Sequence, residues 1–131
     1  MKLLLDTHIW WWSLAEPERL TRRVANELRN SANELWLSPI STWELLLLAE
    51  KQRVRMPTEP ILWIRAALSK APFREALINH EIAIESRRVS LQHADPADRI
   101  LAATAIVYNL TLVTADQRLL RGKGFPVLAN R

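Results

Sequence analysis

Cysteine is absent from the 131 residues, which excludes disulfides, thiolate metal sites and a cysteine nucleophile together. Long apolar runs are missing as well. Leu45–Leu48 is four residues long, against the roughly twenty that a bilayer-spanning helix needs. The run from Met1 to Leu5 is broken by Asp6 and His8 before it reaches the length of a signal peptide, so a cytoplasmic protein without a membrane segment is expected. Aspartate is scarce: the chain has four, Asp6, Asp95, Asp98 and Asp116.

What is present describes a globular chain. Hydrophobic residues make up 49%, charged residues 24%, and the mean hydropathy is −0.08. The length predicts a single domain over 1–131, large enough to stand on one core. Eighteen basic residues face fourteen acidic ones, for a net charge of +4 and a pI near 10.1. Fourteen of the eighteen are arginine, whose planar fork suits phosphate better than the point charge of lysine. Such a balance is compatible with a nucleic-acid partner and equally with plain solubility.

Periodicity predicts strands at Lys2–Leu5, Glu34–Leu37, Leu110–Val113 and Phe125–Leu128, with a shorter one at Ala76–Ile78. Helices are expected over Thr7–Leu14, Arg22–Ser31 (capped by Thr21), Thr42–Lys51, a stretch after Thr58, His80–Arg88, Ala97–Tyr108 and Ala115–Arg121. Asp95-Pro96 opens the penultimate helix and Asn109 closes it in the left-handed position. Strands too apolar to have a wet face, alternating with helices, predict an α/β fold with a parallel sheet covered on both sides.

Each of the key acids has an ordinary explanation. Ser41-Thr42-Trp43-Glu44 reads as a capping box, Asp95-Pro96-Ala97-Asp98 as a helix start, and Asp116 as an acid at the positive end of its helix. In a parallel sheet, however, strand carboxyl ends and the following helix starts share one rim, which places Asp6, Glu44 and Asp116 together. The position of Asp98 depends on helix packing. Converging carboxylates repel, and a hard divalent cation such as Mg²⁺ removes that repulsion, polarises a phosphate and generates a hydroxide nucleophile.

Four stretches then carry a resemblance: Leu4-Leu5-Asp6-Thr7-His8, Ser38–Glu44, Asp95–Ala105 and Leu110–Asp116. In order and spacing the chain resembles the PIN-domain ribonucleases, and more closely the VapC-type toxins of toxin–antitoxin pairs. The resemblance implies a Rossmann-like sheet and metal-dependent cleavage of structured or single-stranded RNA. It implies catalytic roles for Asp6, Glu44, Asp98 and Asp116, with Asp6, Asp98 and Asp116 on Mg²⁺, for which Mn²⁺ substitutes. Thr7, Asp95 and Thr114 fall at supporting positions. A cognate antitoxin, a homodimer, and DNA reached only through the antitoxin are also implied. Three consecutive tryptophans, Trp10, Trp11 and Trp12, cannot all face one core, and the resemblance assigns them to a partner surface.

Other residues point less sharply. His8, His80 and His93 lack metal-ligand spacing, and Arg99 is open between a phosphate contact and an acid pair. A receiver domain is disfavoured because no lysine follows Phe125–Leu128; a haloacid-type phosphatase, because His8 stands where its second aspartate belongs. A housekeeping RNA-processing PIN nuclease and a non-catalytic PIN-like binding module are the alternatives.

Overall fold

The computed structural model describes residues 1–92 and 95–131, so His93 lies outside the described residues. Its elements run β1 (Lys2–Leu5), α1 (Thr7–Ala15), a 3-10 turn (Pro17–Arg19), α2 (Arg22–Arg29), β2 (Glu34–Leu37), α3 (Pro39–Glu50) and α4 (Pro60–Lys70). They continue with β3 (Arg74–Glu75), α5 (His80–Arg88), α6 (Pro96–Tyr108), β4 (Thr111–Thr114), α7 (Gln117–Leu120) and β5 (Val127–Ala129).

The strands form one sheet in the order β3-β2-β1-β4-β5, and every neighbouring pair is parallel. Leu4 of β1 sits opposite Trp36 on one side and Leu112 on the other. The chain builds outward from β1 to β3, then returns to lay β4 against the opposite edge of β1. Strand order therefore reverses between β1 and β4, the kind of crevice where open α/β sheets bind ligands.

Side-chain alternation explains why β1 is apolar from Leu3 to Leu5. Leu3 and Leu5 point into one core with Ile9, Trp10, Val24, Leu45 and Ile64 from α1, α2, α3 and α4. Leu4 points the other way, into a second core with Leu101, Ala102 and Ala105 of α6. All three leucines are at most 1% exposed, and burial of each contributes about 1.5–3 kcal/mol. Both faces are dry past the exposed Lys2, so the strand carries no further polar position until Asp6.

Several boundaries differ from expectation. α3 starts at Pro39 with Ser38 as its cap, whose Oγ accepts from the Ile40 amide at 3.1 Å. Ser41 is therefore inside the helix and the expected capping box with Glu44 does not exist. α4 is capped by Glu59, whose carboxylate accepts from Ile61 and Leu62, rather than by Thr58. β3 lies at Arg74–Glu75, ahead of the expected Ala76–Ile78; Leu77 and Ile78 are exposed, so their apolar character reports no sheet burial. β5 begins at Val127, because Phe125 packs into the α6-side core instead of the ladder. Asn109 takes the left-handed cap conformation, φ 56°, as its position predicts.

The tryptophan triplet also needs correction. Trp10 is 0% and Trp11 5% exposed. Trp10 meets Phe73 edge-on at 6.4 Å, and Trp11 packs on Trp63 of α4 at 5.1 Å while its indole N–H donates to Glu16. Neither offers surface to a partner. Successive helical residues do point apart, and two of the three directions here meet the sheet and α4. Only the half-buried Trp12 reaches a surface, the one described next.

Candidate active site: an acid pocket at the strand switch

Asp6 is the first residue past β1, and its backbone amide still donates to Val113 of β4 at 3.0 Å. That bond pins the carboxylate at the crevice between β1 and β4. Its Oδ1 accepts from the Thr7 amide at 2.7 Å, capping α1, and its Oδ2 accepts from the Thr114 hydroxyl at 2.7 Å. Burial nevertheless raises its pKa to about 6 against those two hydrogen bonds, with the charge of Glu44 adding to the rise.

Asp98 arrives from the other direction. Asp95 caps α6, its Oδ1 accepting from the amides of Ala97 and Asp98 at 2.9 and 3.2 Å. Three residues past the cap, the Asp98 side chain, 8% exposed, enters the same crevice. Burial, followed by the charges of Asp95, Asp6, Asp116 and Glu44, pushes its pKa to about 7. An aspartate whose rise is traced to four other acids identifies a convergence of carboxylates. The spacing of the sequence leaves that convergence open; the packing of α6 beside α3 and α5 completes it.

Asp116 caps α7 by accepting from the Arg118 amide at 2.8 Å. Burial works to raise its pKa, yet the Arg118 amide and guanidinium outweigh it and hold the carboxyl below its ordinary value. The Thr114 hydroxyl, besides donating to Asp6, accepts from the Asp116 amide at 3.0 Å, so one side chain ties both acids to the end of β4. Glu44 is half-buried in the second turn of α3 and completes the set.

These acids share a cavity of about 430 Å³, which Asp95 also lines. His8 and Trp12 of α1 also line it, their rings 5.7 Å apart. Arg53 and Arg118 bring the arginine side chains on its lining among the described residues. Arg53 gets there because Gln52, at φ 59°, turns the chain back at the end of α3. The sequence reasoning singled out neither arginine. For Arg118 a signal was available, since an arginine two residues past a capping aspartate folds back over that carboxylate.

Other expected contributors are placed elsewhere. Thr7 is buried at the start of α1, its hydroxyl without a hydrogen-bond partner among the described residues. Arg99 reaches the carbonyls of Ser86, Val89 and Leu91, and so clasps the end of α5 to α6. His80 lies on the exposed first turn of α5, apart from the pocket.

The donor set fits a hard cation. All of its members are carboxylates, and the pKa values of Asp6 and Asp98 are raised toward neutrality by burial and by the neighbouring charges, a cost that a divalent ion relieves. Among the described residues, no three acidic or histidine side chains are already gathered into a ligand set.

Fold and site together define an α/β domain with a carboxylate pocket at its strand switch. The sequence pattern of the PIN domain family matches residues 3–124. Over 118 residues, 89% of this chain and 88% of the relative, the sequence is 35% identical to Ribonuclease VapC22 of Mycobacterium tuberculosis. In fold it is similar to VapBC2 from Rickettsia felis bound to a DNA fragment from their promoter, with TM-score 0.71, 18% identity and 98% of each chain covered. It is similar also to DNA-bound VapBC from Salmonella typhimurium, with TM-score 0.71, 19% identity and the same 98% coverage of each. The chain belongs to the PIN-domain family, among its VapC-type ribonucleases.

Proposed function

We propose that this chain, a single PIN domain over 1–131, is the toxin of a toxin–antitoxin pair: a metal-dependent endoribonuclease that cleaves structured or single-stranded RNA in the acid pocket. The observation that carries the proposal is the convergence of Asp6, Glu44, Asp98 and Asp116 on one cavity, with Asp6 and Asp98 held above the usual carboxylate range. The VapC relative and the VapBC structures support the toxin role.

Asp6, Asp98 and Asp116 are the residues that would hold Mg²⁺ or Mn²⁺. When bound, the ion supplies Lewis acidity toward a phosphodiester oxygen. The chain's own residues do the remaining work. Thr114 orients Asp6, leaving part of its lone-pair capacity free toward the cavity. Asp95 fixes the first turn of α6 and with it Asp98. Glu44 accepts the proton of the attacking water. Trp12 and His8 offer ring surface to a base beside the scissile phosphate.

The partners that go with this role are an RNA substrate, a cognate antitoxin, and a second copy of the chain in a homodimer, with DNA reached only through the antitoxin. Among the described residues no helix is long and apolar enough to cross a membrane, in keeping with action in the cytoplasm. Mixed cellular RNA incubated with the purified chain tests the proposal. Cleavage with Mg²⁺, lost in EDTA and in Asp98→Asn, is expected, as is growth arrest when the chain is expressed alone. Intact RNA in the presence of Mg²⁺, with the protein folded, would leave a non-catalytic binding module.

A further inference from the structure

We propose that Arg118 is a resident counter-cation of the acid pocket: its guanidinium stands between Asp98 and Asp116 until a divalent ion displaces it, and the freed side chain then holds an RNA phosphate at the pocket mouth. The proposal rests on the reading of the pocket as a metal-dependent nuclease site.

Arg118 Nη2 lies 3.4 Å from Asp116 Oδ2 and 3.9 Å from Asp98 Oδ2. One cationic nitrogen thus faces carboxylates delivered by two different elements, the start of α6 and the start of α7. The other described ion pairs differ in kind. Arg19–Glu16 and Arg88–Glu85 are neighbours three residues apart, and Arg74–Glu34 joins the edge strand β3 to its neighbour β2. Among the described ion pairs, those of Arg118 alone lie on the lining of the acid cavity.

The geometry suits a cation that leaves. Both distances exceed the 2.7–2.9 Å of a tight charge-assisted hydrogen bond. The Arg118 side chain is 56% exposed, so its pairing is the weak, solvent-screened kind. Its backbone, by contrast, is held: Asp116 Oδ1 accepts from the Arg118 amide. The head swings while the root stays. A doubly charged ion among the carboxylates repels a guanidinium at this range. The displaced head remains beside the cavity whose lining Arg53 shares. A planar fork with five donors matches a phosphodiester there.

Calorimetry with Mn²⁺ alone, on the wild-type chain, Arg118→Gln and Arg53→Gln, tests the displacement. Removing the resident cation is expected to tighten Mn²⁺ binding about three- to tenfold in Arg118→Gln. Arg53→Gln, which removes a lining charge that makes no described carboxylate pair, is expected to gain less. With Mg²⁺ saturating, Arg118→Gln should raise KM for an RNA oligonucleotide about three- to tenfold, the signature of a lost phosphate contact.

A second measurement needs no substitution. The Nε–H resonance of Arg118 is expected to shift as Mg²⁺ is titrated into the wild-type protein. If wild type binds Mn²⁺ and Arg118→Gln binds it no more tightly, or the Nε–H signal stays fixed through saturation, the Arg118 proposal falls alone. If neither protein binds Mn²⁺ or Mg²⁺, the nuclease reading falls, and this proposal with it.

Discussion

Thr114 donates to Asp6 at 2.7 Å and accepts from the Asp116 amide at 3.0 Å, so a single hydroxyl connects two of the proposed metal-binding acids. Thr114→Val keeps the shape and removes both bonds. Losing a hydrogen bond to a buried carboxylate is expected to lower stability by about 1–3 kcal/mol in a urea titration near neutral pH. Because that bond favours the charged form, its loss also moves Asp6 further above about 6. The acid limb of the cleavage profile should shift to higher pH; an unmoved limb would mean that another group sets it. Glu44 offers a cleaner separation of structure from chemistry. Ser38 caps α3, so Glu44 has no capping duty to lose. Glu44→Gln is expected to leave the melting temperature in EDTA unchanged or slightly higher, since it removes a charge that raises Asp6 and Asp98. RNA cleavage should drop at least about a hundredfold, a loss of about 2.7 kcal/mol in transition-state stabilisation. Comparable cleavage with Mg²⁺ saturating would remove Glu44 from the chemistry.

Among the elements, α6 carries the most functional weight, because its cap sets where Asp98 enters the pocket. Asp95→Asn keeps a side-chain oxygen for the Ala97 and Asp98 amides while removing a like charge; Asp95→Ala removes both. Thermal unfolding in EDTA is expected to leave the asparagine variant near wild type and to cost the alanine variant about 0.5–2 kcal/mol. Equal losses in the two would mean that charge rather than capping is what Asp95 contributes. This helix was also the best-marked element in the sequence, with proline at its start and Asn109 at its end. Local chemistry of that sort is readable because it depends on residues a few places apart. The direction in which Asp98 points was not, since it depends on how α6 packs. The tryptophans show the same limit: a 100° turn per residue says that they diverge, but only α4 and Trp63 explain why Trp11 is buried and Trp12 is not. Exposed Leu77 and Ile78 drew the expected third strand past Arg74–Glu75 because apolar composition does not distinguish a strand from the turn after it.

For the whole molecule, the acid pocket makes stability a function of pH. Asp98 and Asp6, at about 7 and about 6 when folded, release their protons from 3.8 upward when unfolded. Their contribution is greatest below 3.8, where both states are protonated, and is lost as pH rises toward the folded values. Asp116, held below 3.8, acts in the opposite sense and only in more acidic solution. In EDTA the melting temperature should therefore fall from about pH 4 to about pH 7, and Mg²⁺ should restore it most at the upper end. A flat or rising profile in EDTA would show that the carboxylates do not strain the fold. The seam between β1 and β4 has one more consequence. The Thr114–Asp6 bond closes over 108 residues. During synthesis Asp6 is made well before β4 and Asp116, which follow only after α6. A nascent chain therefore has no complete pocket until β4 and Asp116 have joined Asp6, so these acids cannot act together while α6 is still being made.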